Sequence, residues 1–459
     1  MGRVIQRKGK SRNGTKGLLT IRPNVAGIDI GSRQMHVCGP QDAEGHVQLA
    51  VFDTTTVEIQ ACAKWLKQLG VVSIAMESTG VYWIPPFELL EGEGFEVILV
   101  DTRPLSRAPG RKTDVTDCEW IQSLHSCGLL QGCYRPTEEI SQLRSIVRMK
   151  AVLVSDHADW LRRIQKCLDQ MNVRVHHAVS QMSGATGMAI VRAIVGGERD
   201  PAKLSELRDR NCHKSKEQIA EYLTGHWRQD HLFNLQQALE MYDVLSAKLD
   251  TYEGQIQDRL KALTPAGNAE KTAPPLPNPE KTKAMKRRNE EEKRQALYRM
   301  TGVDLTTIDG IGVETAEAIV SEYGMDLSKF PDEKQFVAHL QLVPRRPVSG
   351  GKPLNKRPRK TKGTRVGQAL RTAAVGVSRG KTALGAYYRR MSRNKGATIA
   401  VFATARKIGT LAYRLLRWGQ DYVDEGQQAY EARYEAARMR SLAANADQLG
   451  MKLVSKTSP

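Results

Sequence analysis

A carboxylate stands in the middle of the apolar run Val25-Ala26-Gly27-Ile28-Asp29-Ile30-Gly31, and no other feature constrains the fold as much. A short apolar run of this kind reads as a core strand. A charge inside such a strand is costly unless it is paired or bound to a cation. Further strands are expected at His36-Val37-Cys38, at His46 to Phe52, at Val71 to Glu77 and at Phe95 to Asp101, with a helix from Val57 to Leu69 stopping at Gly70. Hairpin-like strands followed by helix-separated strands imply a mixed sheet with helices on its faces.

Within that frame the acids form a pattern. Asp29 lies on the first strand, Glu77 ends the fourth, and Asp114 and Asp117 open a segment of helical character. Positions i and i+3 share a helix face, so the last pair repels unless a divalent cation reverses the sign of the interaction. An acidic helix start is otherwise only a favourable partner for the dipole. Four such carboxylates at one sheet edge are expected to bind two Mg²⁺ about 4 Å apart, the arrangement used for in-line phosphoryl chemistry.

Charge narrows the partners. Lys and Arg number 69 against 50 Asp and Glu, a net charge of +19, which points to nucleic acid. No apolar run approaches the roughly 20 residues of a membrane span, and the basic N-terminus lacks a signal peptide's apolar stretch. Seven cysteines without a CxxC pair fit a reducing, cytoplasmic setting better than zinc or disulfides.

Along the chain, residues 1–24 read as a disordered basic arm and 25–136 as the α/β domain. Residues 137–263 are helical, with Leu143, Ile146, Val147, Val154, Leu161, Ile164 and Leu168 at spacings suited to a coiled coil or to one face of an internal bundle. Residues 264–290, with Pro274-Pro275-Leu276-Pro277, read as a linker. The next domain, 291–422, opens with Leu305 to Ala316, read as helix, glycine turn, helix. There Gly310 and Gly312 free backbone amides for a phosphate, as in a helix-hairpin-helix. Residues 423–459 form a tail without a motif.

Between Glu333 and Asp421 the sequence has no acid. The same interval holds Arg345, Arg346, Lys352, Lys356, Arg357, Arg359, Lys360, Lys362 and Arg365, which read as nucleic-acid contacts. Ser349, before Gly350-Gly351, places a hydroxyl among these cations.

Gly27-Ile28-Asp29-Ile30-Gly31, Met76-Glu77-Ser78-Thr79-Gly80 and Lys112 to Asp117 resemble the RuvC-like DEDD domain of insertion-sequence-110/1111 family transposases. Gln341-Leu342-Val343-Pro344 through Ser349-Gly350-Gly351 resembles the family's C-terminal transposase domain. The resemblance spans roughly Val25 to Asn172 and Leu297 to Trp418. It implies an RNase H-like fold, with Asp29, Glu77, Asp114 and Asp117 as ligands of Mg²⁺ or Mn²⁺ and with Ser349 as a nucleophile that becomes joined to DNA. It also implies donor and target DNA as substrates, a structured bridge RNA as guide, and a homo-oligomer, dimer to tetramer, with a composite active site at the bacterial nucleoid. Two rival readings are a RuvC-like nuclease using water, with Ser349 structural, and an architectural DNA-binding protein. An actin-like sugar kinase, suggested by Ile28-Asp29-Ile30-Gly31, leaves the positive charge unexplained.

Overall fold

The run around Asp29 is the central strand of a six-stranded sheet. A computed structural model describes residues 3–8, 19–42, 44, 46–78, 80–100, 114–210, 212–287, 290–343, 348–349, 352–353, 363–419, 426–452 and 454. The chain forms two compact units, Met1–Arg135 and Pro136–Pro459.

The first unit holds β1 (Arg3–Lys8), β2 (Val25–Ile30), β3 (Gln34–Gln41), β4 (His46–Asp53), α1 (Thr56–Gln68), β5 (Ser73–Glu77), α2 (Ile84–Gly92), β6 (Glu96–Val100) and α3 (Asp114–Ser126). The strand order is β1-β4-β3-β2-β5-β6. Strands β1 to β4 pair antiparallel, whereas β2, β5 and β6 run parallel. Thr55 caps α1 by accepting from the Glu58 amide, and Gly70, at φ 70°, turns the chain after it. Successive strand residues face opposite sides. One face therefore presents Ile28, Ile30, Val37 and Met76 to Ile59 and Leu66 of α1 and Phe87 and Leu90 of α2. The other presents Cys38, Leu49, Ala75 and Val100 to Cys118 and Ile121 of α3.

The arm expected to be disordered supplies β1, whose residues Arg3 to Lys8 pair with Val51 to His46. The outer edge of β4 offers unpaired backbone groups, and Val4-Ile5 favours the extended state.

Among its described residues the second unit is helical apart from one small hairpin. Its first half contains α4 (Glu138–Gln170), α5 (Val175–Ala178), α6 (Ala185–Val195), α7 (Pro201–Glu206), α8 (Lys216–Leu223) and α9 (Gln229–Ala262). Helices α4 and α9 lie antiparallel. Gln142 meets Arg259, Lys150 meets Glu253, and His157 stacks on Tyr242 and bonds Ser246 at 2.8 Å. The pairing lies within one chain. The short helices α5 to α8 gather around Ile190, Val191, Leu204, Ile219 and Leu235 in a core of their own at the end of this pair.

The second half contains α10 (Pro279–Arg287), α11 (Glu291–Thr301), α12 (Val313–Tyr323), α13 (Glu333–His339), β7 (Val348–Ser349), β8 (Lys352–Pro353), α14 (Arg365–Val377), α15 (Ala383–Lys395), α16 (Ala397–Trp418) and α17 (Gly426–Gln448). Helix α12 is buried nearly all round, including Glu317 and Glu322. Those charges are matched, since Glu317 pairs with Lys293 at 3.2 Å and Glu322 accepts two bonds from Arg148. The proline-rich stretch expected as a linker packs onto this half. Ala273 and Met285 are buried, the Ala273 amide donates to Gln295, and Arg294 donates to the Pro274 carbonyl. Prolines forbid a long helix there but still expose carbonyls that a buried arginine satisfies.

Candidate active site and nucleic-acid interface

Strand register places the first two acids. Asp29 lies opposite His36 on β3, and Ile28 is registered with Met76 on the parallel neighbour β5. Asp29 and Glu77 each follow that registered pair by one residue, so they share the α3 face of the sheet at the carboxyl ends of adjacent strands. Glu77 is registered in turn with Val100.

Helix α3 crosses this face in close contact because residue 27 is glycine. A methyl at Gly27 would overlap the backbone of Cys118 and Gln122. Its direction follows from its contacts. His125 bonds Ser73 at 2.8 Å, Gln122 donates to the Val25 carbonyl at 3.4 Å, and Cys118 lies over Gly27. The helix thus runs against β2 and β5 and carries its N-terminal turn toward the ends where Asp29 and Glu77 sit. Burial, with added repulsion from Glu119 and Asp29, pushes the Cys118 thiol up to about 12.

Asp117 is half-buried on the first turn of α3. Asp114 opens the helix, but its side chain lies outside the described residues. Among the described residues no three His, Cys, Asp or Glu side chains gather closely enough to hold a metal. The sequence reading missed His36, whose Nδ1 is buried without a partner. A histidine within a strand carries no signal of its own until register sets it opposite an acid.

Ser349 ends β7 and is registered with Lys352 on the antiparallel strand β8. Gly350, Gly351, Arg345, Arg346, Lys356, Arg357, Arg359, Lys360 and Lys362 lie outside the described residues, as do the side chains of Ser349 and Lys352. Arg365 begins α14 and donates to the Val147 carbonyl at 3.3 Å, an internal partner. Arg379, Lys381, Arg393, Lys395 and Arg406 have no carboxylate partner among the described residues, whereas Arg414 is held by Glu333 at 2.6 Å.

The glycine turn enters α12 from a single 3-10 turn, Leu305–Thr307, where a helix was expected. Asp304 explains the short element, because its carboxylate captures the Thr306 amide at 2.9 Å and ion-pairs with buried Arg294 at 2.6 Å. Gly310 has φ 89° and is tucked against Val377, 2.7 Å from where a methyl would stand. Gly312 faces open space. The amides of Gly310 and Gly312 bond no described residue. Lys281, from α10, donates to the carbonyls of Thr306 and Ile308, the latter at 2.9 Å.

Residues 26–173 match a DEDD-type IS110 model described as transposase, and residues 302–389 match the family described as Transposase IS116/IS110/IS902. A mixed sheet carrying acids at the ends of adjacent strands, followed by a helical unit, is thus that of a transposase, an enzyme that cleaves DNA strands and transfers them. The chain belongs to the IS110 family of transposases. The DEDD-type domain points to dependence on a divalent metal. A search of curated proteins gives no match. No described helix is long and apolar enough to cross a membrane.

Proposed function

We propose that this transposase cuts and rejoins DNA with a carboxylate site formed by Asp29, Glu77, Asp114 and Asp117 and with Ser349 as the nucleophile. The observation that carries the reading is the shared register of Asp29 and Glu77 under a helix that Gly27 lets approach. The donor set is hard oxygen, which suits Mg²⁺, with Mn²⁺ as the alternative. The described donors do not complete such a set by themselves, so the reading requires Asp114, one helical turn beyond Cys118. A bound divalent cation would polarise the scissile phosphate.

The remaining roles belong to protein groups. The Ser349 oxygen bonds to phosphorus, the bridging P–O bond breaks, and the departing DNA hydroxyl takes the proton. The phosphoserine keeps the bond energy, and a second DNA hydroxyl reverses the step and frees the serine. The glycine turn acts as a helix-hairpin-helix on the duplex backbone, with the basic residues from Arg345 to Arg365 on the same nucleic acid. A structured bridge RNA selects donor and target. The active form is a homo-oligomer that associates through the outer face of the α4–α9 hairpin, in which one subunit's carboxylates and another's Ser349 act on one strand.

The test compares wild type with Asp29→Asn and Glu77→Gln on a cognate DNA substrate. Each variant is expected to lose cleavage by roughly 100-fold or more while keeping duplex affinity within about threefold. Cleavage at the wild-type rate in either variant overturns the carboxylate site.

A further inference from the structure

In the turn between Asp304 and Gly312 the amides of Gly310 and Gly312 bond no described residue. The carbonyls of Thr306 and Ile308 both accept from the Nζ of Lys281. Two backbone carbonyls bonded to one ammonium are part of the kind of oxygen shell that a hard monovalent cation takes in place of water. The Ile308 carbonyl also accepts from the Ile311 amide at 3.1 Å, so Lys281 ties together the 3-10 turn and the tight turn that this bond closes.

Lys281 is held there by its own supports. Asn278 caps the start of α10 by accepting from the Glu280 amide at 3.1 Å, which fixes the lysine's approach. Met285, one turn further on, is buried and anchors the helix. Arg294 neutralises Asp304 from beside it. The lysine therefore has its nearest bonded partners in the loop carbonyls.

Resting on the helix-hairpin-helix reading above, we propose that Lys281 is the turn's built-in cation, a positioning residue whose ammonium occupies the carbonyl site that a free monovalent ion would fill. It holds the loop carbonyls inward, keeps the glycine amides directed at the DNA phosphate, and adds positive charge behind that phosphate. Duplex binding by this element then needs no particular monovalent salt.

The experiment measures non-cognate duplex binding by fluorescence anisotropy with the full-length protein. Potassium, sodium and tetramethylammonium chloride are compared at equal ionic strength. Wild type is expected to bind equally in all three. Lys281→Ala vacates the carbonyls, so binding should fall roughly tenfold in tetramethylammonium and recover in potassium or sodium. Lys281→Met fills the vacated space, so its binding should be weak in every salt. Gly312→Glu, placed where a side chain meets open space, reports on the hairpin itself and should weaken wild-type binding.

Lys281→Ala binding like wild type in all salts, or equally weak in all salts, overturns the built-in cation and leaves the lysine a packing residue. If Gly312→Glu binds normally, the hairpin reading fails, and this proposal fails with it. Thermal melts of each variant separate loss of fold from loss of binding, and the salt comparison is made within one variant.

Discussion

At the scale of residues, Gly27 decides how close α3 comes to the sheet. Gly27→Ala forces a methyl into the backbone of Cys118 and Gln122, so helix and sheet must separate. The expected cost is on the order of 3 kcal/mol, typical of core overpacking, with cleavage lost as well. A denaturant titration against wild type checks it, and an unchanged midpoint contradicts the packing described. Cys118 gives a gentler probe. With its thiol pushed up to about 12, it stays protonated at pH 8 and should resist maleimide, whereas exposed Cys133 should react. Mass spectrometry of the labelled protein reads the difference. Asp29 and Glu77 were legible in the sequence because a charge in an apolar strand demands an explanation. The closeness that Gly27 permits was not, since it depends on a helix more than ninety positions away.

At the scale of elements, the hairpin before α12 is braced by charges from segments that precede it. Asp304→Ala removes the buried carboxylate from Arg294, leaving it half-exposed Glu291 and the Pro274 carbonyl, and is expected to destabilise the protein by about 3 kcal/mol, read as a lowered Tm. Lys281 adds a pH dependence whose sign can be worked out. Burial lowers its ammonium from the ordinary 10.5 to about 8, against the opposing pull of Asp309 and Asp304, with Arg294 pushing the same way as burial. Between about pH 8 and 10.5 the unfolded chain holds this proton and the folded chain does not. The contribution to stability therefore rises across that window and is lost as pH falls through 8. Duplex binding should move oppositely and weaken above pH 8, because the cation behind the loop is discharged. Wild-type affinity that is flat from pH 7 to 9 contradicts that role.

The glycines of this turn were plain in the sequence, but its bracing was not. Proline-rich composition hides α10, and a lone lysine near a linker looks solvated until the carbonyls it serves are placed. The strand at Arg3–Lys8 was hidden for a similar reason, since an edge-pairing strand needs a partner edge and local composition reports only charge.

At the scale of the whole molecule, the division between an α/β unit and a helical unit was legible from periodicity and from the shift in charge. The small helices α5 to α8 were not, because their apolar residues pack around the ends of α4 and α9 in an order that local spacing does not encode. The acid-free stretch predicts strongly salt-dependent DNA binding. Replacing Arg379, Lys381 and Arg393 together by alanine should lower the slope of log Kd against log salt by up to about one unit for each phosphate that these side chains neutralise. An unchanged slope removes these cations from the interface.

Joint action of the carboxylates and Ser349 on DNA is read out by trapping the serine. Purified protein with cognate DNA, Mg²⁺ and any RNA that co-purifies is run on a denaturing gel beside the Ser349→Ala and Asp29→Asn variants. A protein–DNA adduct formed by wild type and by neither variant is the predicted result. Cleaved DNA without any adduct, or an adduct that persists in Ser349→Ala, contradicts the account and leaves a nuclease that uses water or a different nucleophile.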